Sequence, residues 1–516
     1  MGYGIEMAYE FCTAIAIPLL GGAALTFLVE RLLDPAPDLI GRPASAVSAH
    51  LGVWTAVFAI LLAVCQRPYF AALLALSEQL FLALVSNAKV RALREPFVYQ
   101  DIEYFTDVVR HPRLILPYLG IGRALAACLA FGAALYLGIA LEPGLPARTG
   151  WPAFAVGLGV LAAAGAGLLW LGTPRPLPPL FDPAGDLRRL GQLANFWYYG
   201  LAERARPAIP RTSRFSVSSS VPAARRLPNI VVVQSESFFD ARRLYQGVQP
   251  VLLEQFDAIR AAAVLHGLLH VPAWGGNTAR SEFSFLTGFG ADELGVNRFN
   301  PFRKLAQQAV PTLASFLKRA GYRTVCVHPY PASFYSRDTA YPALGFDSFL
   351  DLDAFRDAER YGPYISDRAV AEKACALVES SGQPILLFVI TMENHGPLHL
   401  ERVAPGDVQR LYTAPPPAGF EDLTVYLRHL ANADRMIRML REHLEQSPHD
   451  GWLCWYGDHV PILQNVYDAT GFADGRTDCF IWGKGRARQA AGPRNLKVED
   501  LGVLLLEQAG LLPETR

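Results

Sequence analysis

Charge is scarce in this chain. Of its 516 residues only 18% are Asp, Glu, Lys or Arg, split 47 to 47 between the two signs, so the formal net charge is zero. Binding to nucleic acid through phosphates calls for a basic excess, and the balance here removes that class of partner. Cysteine is sparse and unpatterned. Cys12, Cys65 and Cys128 lie in apolar runs, and Cys326, Cys375, Cys454 and Cys479 are scattered through the second half with no C-x-x-C and no ligand spacing. That excludes a thiolate zinc knuckle and a disulfide framework, and leaves the cysteines as small buried hydrophobes.

Apolar residues are abundant, at 51%, and the mean hydropathy is positive. Such an average points to a greasy part diluted by an ordinary globular part. The length suits about three domains, but a membrane bundle uses up residues without forming a soluble core, so two parts are expected.

Five segments, near 8–30, 46–65, 68–88, 124–141 and 151–172, come close to the roughly 20 apolar residues a spanning helix needs. The first lacks a basic leader and is followed by further spans, so it is expected to be retained rather than cleaved. Within the third, "LSEQL" puts Glu78 at mid-membrane depth, where an ionisable group is expensive. It is either a headgroup or relay contact or, the preferred reading, a polar residue packed against a neighbouring helix. The loop "NAKVRALREPFVYQDIEYFTDVVRHPRL" carries five basic and four acidic residues with aromatics between them, which suits a segment at the lipid headgroups. With five spans, exporting the second half also places this loop outside, against the positive-inside rule. The chemistry of the second half overrules that objection.

Residues 1–172 are therefore expected to form a transmembrane domain and 173–228 a linker. The linker is proline-rich, then amphipathic in "LRRLGQLANFWYYGLAERA". Trp197, Tyr198 and Tyr199 would anchor it at the interface or pack on the globular domain. From 229 to 516, the runs "NIVVVQSES", "RTVCVHP", "PILLFVITMENHG", "GWLCWYGDH" and "DCFIWG" read as buried strands alternating with helical patterns. That order predicts an α/β domain on a mostly parallel sheet, whose ligands sit off the carboxyl ends of the strands.

At those ends stand Ser235, Glu236 and Ser237, then Thr278 in "WGGNTARSEF", His328, the trio Glu393, Asn394 and His395, and the pair Asp458 and His459. Glu236, Asp458, His459 and the Thr278 hydroxyl form a mixed oxygen and nitrogen set that suits one divalent cation, Mn²⁺ before Mg²⁺ or Zn²⁺. A free threonine hydroxyl is a poor nucleophile at neutral pH, and a cation beside it supplies the alkoxide. The preceding glycines let backbone approach a tetrahedral anion, and a helix opening at Thr278 aims N–H groups at it. Each residue also has a bland reading: Thr278 as a helix N-cap, Glu236 as a solvated loop acid, and Asp458 with His459 as a surface turn.

The ordered motifs "VVVQSES", "GGNTARSEF", "HPYPASFYSRD", "TMENHGP" and "WYGDH", behind apolar spans, resemble the lipoteichoic acid synthase and phosphoglycerol transferase group of the alkaline phosphatase and sulfatase superfamily. The resemblance implies a membrane bundle of about five spans joined to a sulfatase-like α/β domain outside the bacterial cytoplasmic membrane, in the periplasm where there is one. It implies phosphoglycerol transfer from an anionic phospholipid donor to a glycan or polyol-phosphate acceptor through a phosphothreonine. Phosphoethanolamine transfer or hydrolysis would use the same site, and a membrane scaffold is the non-enzymatic alternative. Carried over by residue, Glu236, Thr278, Asp458 and His459 would hold metal, with Thr278 also the nucleophile. His395 would contact phosphate or protonate the leaving alkoxide, Arg337 would hold phosphate oxygens, and His328 and Tyr335 would line the headgroup pocket. Tyr335 stands where the resemblance leads one to expect tryptophan, and Tyr330 where it leads one to expect an acid. No Cys/Ser-x-Pro-x-Arg stretch is present to form the nucleophile of classical sulfatases. Arg337 could instead form a surface pair with Asp338, and His328 could be a structural imidazole. Arg280 and Glu282 are expected to pair behind the Thr278 loop, and His399 has no assignment.

Overall fold

Apolar runs and their punctuation set the first helices. α1 (Gly2–Glu30), α2 (Ala44–Cys65), α3 (Pro68–Leu93) and α4 (Trp151–Leu171) are each long and apolar enough to cross a membrane. Between α2 and α3, Gln66 turns left-handed at φ 58° and Pro68 opens the next helix at a position where its missing N–H is harmless. The computed structural model describes residues 2–104, 138–177, 180–205, 213–216, 227–305, 310–486 and 492–513, with isolated positions at 125, 129, 132–133, 135–136 and 308. The span expected at 124–141 is thus described only in part, and its other positions lie outside the described residues. The chain divides into two units, Met1–Pro207 and Ala208–Arg516.

In the first unit small residues let helices approach. A Cβ on Gly52 would stand 2.8 Å from the Leu169 backbone, and one on Gly172 would stand 2.4 Å from the Ala49 backbone, so α2 and the end of α4 pack almost backbone to backbone. Glu78, expected to pack against a neighbour, is instead exposed among the described residues. Among the described spans the buried acid is Glu30, at the end of α1. It pairs with Arg42 at 2.8 Å and His50 at 3.3 Å, and accepts the Gln192 backbone N–H at 2.6 Å.

That last bond ties down two further helices, α5 (Pro183–Leu190) and α6 (Gln192–Arg204). Trp197, Tyr198 and Tyr199 are each tied to the first unit by a hydrogen bond. Trp197 Nε1 donates to Thr173 Oγ1 at 2.9 Å, Tyr198 OH to the Gly172 carbonyl at 2.7 Å and Tyr199 OH to Asp186 at 2.9 Å, all within the first unit. The "REPFVYQD" loop also docks rather than lying free. Lys89 on α3 grips Glu95 at 2.6 Å and Asp101 at 2.7 Å, and Gln100 reaches the Tyr199 carbonyl at 3.3 Å.

The second unit is built on one sheet. Its strands are β1 (Asn229–Ser235), β2 (Leu265–His270), β3 (Arg323–Val327), β4 (Ser348–Leu350), β5 (Ile385–Ile390), β6 (Gly451–Gly457), β7 (Thr477–Gly483) and β8 (Arg494–Lys497). They lie in the order β8-β2-β7-β6-β1-β5-β3-β4, and among the described pairings only β7 runs against its neighbours. Every residue of β1, β5 and β6 is buried, the reason those strands read as unbroken apolar runs. The sequence reading missed β2, β4 and β8. β2 alternates weakly, and the other two are short strands at the two edges. One core under the sheet is centred on Phe238, Trp455 and the long helix Glu421–Gln446; the other is centred on Phe283, Phe285 and Tyr456.

Candidate metal and phosphoryl-transfer site

Because β1, β2, β3, β5 and β6 point the same way, the residues following them meet along one sheet edge. The focal atom is Nε2 of His459. It lies 3.5 Å from Glu236 Oε1, 3.4 Å from Asp458 Oδ2 and 3.4 Å from Thr278 Oγ1. Glu236, Asp458 and His459 each offer a ligand atom, all within 4.8 Å of one another, and all three are buried. Nδ1 of His459 faces the Val460 carbonyl at 3.0 Å, which assigns the proton to Nδ1 and leaves the Nε2 lone pair toward the acids.

Supporting bonds fix each carboxylate. Asp458 Oδ1 accepts the backbone N–H of Ser237 and of His459, each at 2.9 Å, while its Oδ2 has no hydrogen-bond partner among the described residues. Ser237 donates to Glu236 at 2.8 Å from a left-handed backbone at φ 53°. Burial, then the facing charge of Asp458, pushes the Glu236 carboxyl up to about 8. Two crowded acids, an orphaned carboxylate oxygen and an unprotonated imidazole nitrogen make a donor set that fits a divalent cation.

Thr278 opens a helix, α7 (Thr278–Thr287), after Gly275 at φ 66° and Asn277 at φ 62°. Those left-handed residues turn the chain sharply, so Thr278 is the first helical residue and Asn277 occupies the N-cap position. Ser281, one turn on, donates to the Asp458 carbonyl at 2.7 Å and fastens the helix to the β6 end.

The expected pair between Arg280 and Glu282 is not formed. The Arg280 guanidinium lies over Phe299 at 5.3 Å, while Glu282 takes Arg337, with Nη2 at 2.7 Å and Nε at 3.1 Å. Arg337 is therefore no surface partner of Asp338; it is 1% exposed. Burial would lower its pKa, but the Glu282 charge and hydrogen bonds outweigh that and raise it. Its Nη1 donates to His328 Nε2 at 3.2 Å, and His328 Nδ1 meets the Ile390 carbonyl at 3.3 Å. Both nitrogens of His328 are engaged, the arrangement of a structural imidazole. Burial and the Arg337 charge hold His328 well below the ordinary histidine value, so it is neutral at physiological pH. Tyr335 lies with its ring under the Arg337 guanidinium, 5.1 Å away. Three of the five Arg337 N–H groups are thus engaged.

His395 is half-buried, with Nδ1 2.6 Å from the Gly396 carbonyl and 3.3 Å from Tyr364 OH. Nδ1 thus carries the proton in the neutral ring and Nε2 is free to exchange one. Its crowded surroundings keep the pKa below the ordinary value, and the Asp458 charge pulls weakly the other way. Glu393 of the same motif turns away from the cation-binding set, to His429 at 3.1 Å and the Asp367 backbone at 2.6 Å. Sequence reasoning placed Glu393 on the rim but found neither His429 nor Tyr364, which lie in segments without a recognisable motif.

Comparison with known proteins agrees with this architecture. The sulfatase family profile matches residues 228–511. A capsular polysaccharide biosynthesis protein of Rhizobium meliloti is 34% identical over 507 residues, covering 92% of this chain and 90% of that protein. Lipoteichoic acid synthase 2 of Bacillus subtilis is 26% identical over 173 residues, 32% of this chain and 25% of that protein. The integral membrane lipooligosaccharide phosphoethanolamine transferase A of Neisseria meningitidis shares the fold at TM-score 0.54 and 14% identity, over 98% of this chain and 97% of its own. With its apolar N-terminal helices and its α/β domain of sulfatase fold, the chain belongs to the sulfatase family.

Proposed function

We propose that the chain is a membrane-anchored phosphoglycerol transferase that takes the headgroup of an anionic phospholipid and passes it to a glycan or polyol-phosphate hydroxyl. The observation that carries this reading is the meeting of Thr278 Oγ1, Glu236 and Asp458 around His459 Nε2. Glu236, Asp458, His459 and Thr278 would hold a divalent cation, Mn²⁺ by preference, which would lower the pKa of the threonine hydroxyl so that its proton leaves to solvent, and would offset charge on the phosphoryl oxygens. Thr278 Oγ attacks phosphorus, and the bond from phosphorus to the diacylglycerol oxygen breaks as the new one forms. His395 Nε2, protonated, gives its proton to the departing alkoxide. In the second half-reaction the same nitrogen takes the proton of the acceptor hydroxyl, which attacks phosphorus and releases Thr278. The buried Arg337 contributes positive charge near the phosphoryl group, with His328 and Tyr335 packed around it.

The relative named for capsular polysaccharide biosynthesis favours a glycan acceptor. A lipid donor also explains why the domain is anchored to a membrane, and the catalytic unit is placed on the outer side of the bacterial cytoplasmic membrane.

The test is to incubate the purified full chain with Mn²⁺ and labelled phosphatidylglycerol or phosphatidylethanolamine, and to map adducts by mass spectrometry. A glycerol phosphate adduct on Thr278, absent in Thr278→Ala together with a loss of turnover of about a thousandfold or more, is expected. An adduct carrying phosphoethanolamine would reassign the donor, and full turnover by Thr278→Ala would end the mechanism.

A further inference from the structure

Behind His395 lies a chain of charges that the proposed chemistry does not use. Glu393, buried, accepts from His429 Nδ1 at 3.1 Å and from the Asn432 side chain. His429 is itself fully buried, and its other nitrogen, Nε2, meets Glu401 at 3.0 Å. Glu401 in turn pairs with Arg428 at 2.9 Å, and Arg428 with Asp407 at 3.1 Å. Asn432, His429 and Arg428 all stand on the long helix Glu421–Gln446, whereas Glu393, Glu401 and Asp407 belong to the segment that presents His395. Leu398, buried in the core, anchors the middle of that segment, and its two flanks are fastened by charge.

An imidazole with a carboxylate on each nitrogen can satisfy both only as a double donor. We propose that His429 is a positioning residue for the His395 loop: as an imidazolium bridging Glu393 and Glu401, it holds both flanks of the loop on the long helix and so sets where His395 Nε2 meets the substrate. The inference rests on the transfer reading given above for the role of His395, but the clamp itself does not depend on which headgroup is moved.

The surroundings support the charged form. Burial disfavours it, yet the bonds and charges of Glu393 and Glu401 outweigh burial and raise the His429 pKa. Glu401 is lowered in return, because His429 and Arg428 outweigh its own burial. The other groups around the ring are Tyr361, edge-on at 5.4 Å with Arg428 over its face, and Asp367, whose backbone N–H also binds Glu393. Arg435, bonded to Asn432, completes the set. Burial and the Glu393 charge raise the Asp367 carboxyl well above its usual range. A cavity of about 360 Å³ beside the cluster is lined by Tyr361, Glu393, Asn432 and Arg435 among others. A raised histidine favours the folded clamp fully below its unfolded value of about 6.5, and the contribution fades as pH climbs through the higher folded-state value. Release should therefore appear on the alkaline side.

The experiment compares the full chain with His429→Gln and Glu401→Gln, with three readouts: hydrogen exchange of residues 391–412, bound metal, and phosphodiester turnover from about pH 6 to about 10. In His429→Gln, exchange of this segment should rise about tenfold with the rest of the second unit unchanged. Metal content and donor KM should hold within about twofold, while kcat falls about tenfold or more and the alkaline limb of the wild-type profile disappears. Glu401→Gln should move the same readouts less, and it serves if His429→Gln fails to fold. Unchanged exchange and an unchanged pH limb in both variants would overturn the clamp, as would loss of protection spread across the whole unit. If the wild type turns over no phosphodiester, the transfer reading fails, and the exchange arm still decides the clamp.

Discussion

At the scale of single residues the site is a balance of burial against missing charge. Glu236, buried and facing the Asp458 charge, keeps a proton up to about pH 8, whereas in the unfolded chain it would lose it near 4.5. Between those values the folded state holds a proton that the unfolded chain has released, so the metal-free protein loses stability as pH rises through that window. A divalent cation displaces the proton, and its binding strengthens in the same direction. We therefore expect Mn²⁺ to raise the melting temperature more at about pH 8 than at about pH 6, read by scanning calorimetry or dye melting. Equal shifts at both values would mean that Glu236 is not a ligand. The candidate ligand set was legible because Glu236, Asp458 and His459 each follow a strand that announces itself by an apolar run. The partner of Glu282 was not. Arg280 stands two residues away, Arg337 stands 55 residues away, and only the sheet order brings the second into reach.

At the scale of elements, the end of β6 shows how strands set the site. A Cβ on Gly457 would stand 1.9 Å from the Phe238 carbonyl oxygen and 3.1 Å from the Thr477 Cβ. There is no room for a methyl between the segment that carries Glu236 and the one that carries Asp458. Gly457→Ala must push these segments apart, with an expected loss of about 1–3 kcal/mol in denaturant unfolding. Metal affinity, followed by titration, should weaken by about 10- to 100-fold. An alanine variant with wild-type metal affinity would show that the close approach is incidental. The central strands β1, β5 and β6 were readable from sequence because burial on both faces leaves no alternation to misread. β8 (RNLK) was not readable, since an exposed edge strand of four residues carries no apolar signature.

At the scale of the whole molecule, two units divide the labour, one apolar enough to hold the lipid phase and one presenting the chemistry. The second unit alone, residues 208–516, should turn over a water-soluble phosphodiester within about threefold of the full chain. It should lose at least about tenfold on phospholipid in vesicles, because tethering no longer raises the local donor concentration. Equal vesicle activity with and without residues 1–207 would remove the reason for the anchor. Sequence alone determined that there are membrane helices, a parallel sheet, and a threonine with two acids and a histidine at strand ends, since local hydropathy and motif order report those directly. Only the tertiary structure decided that Glu30 and not Glu78 is the buried acid among the described spans, that Trp197, Tyr198 and Tyr199 fold onto the first unit, and that Arg337 is clamped by Glu282. The reason is physical: burial of a polar group depends on which partners arrive from distant parts of the chain, and no local pattern encodes that arrival.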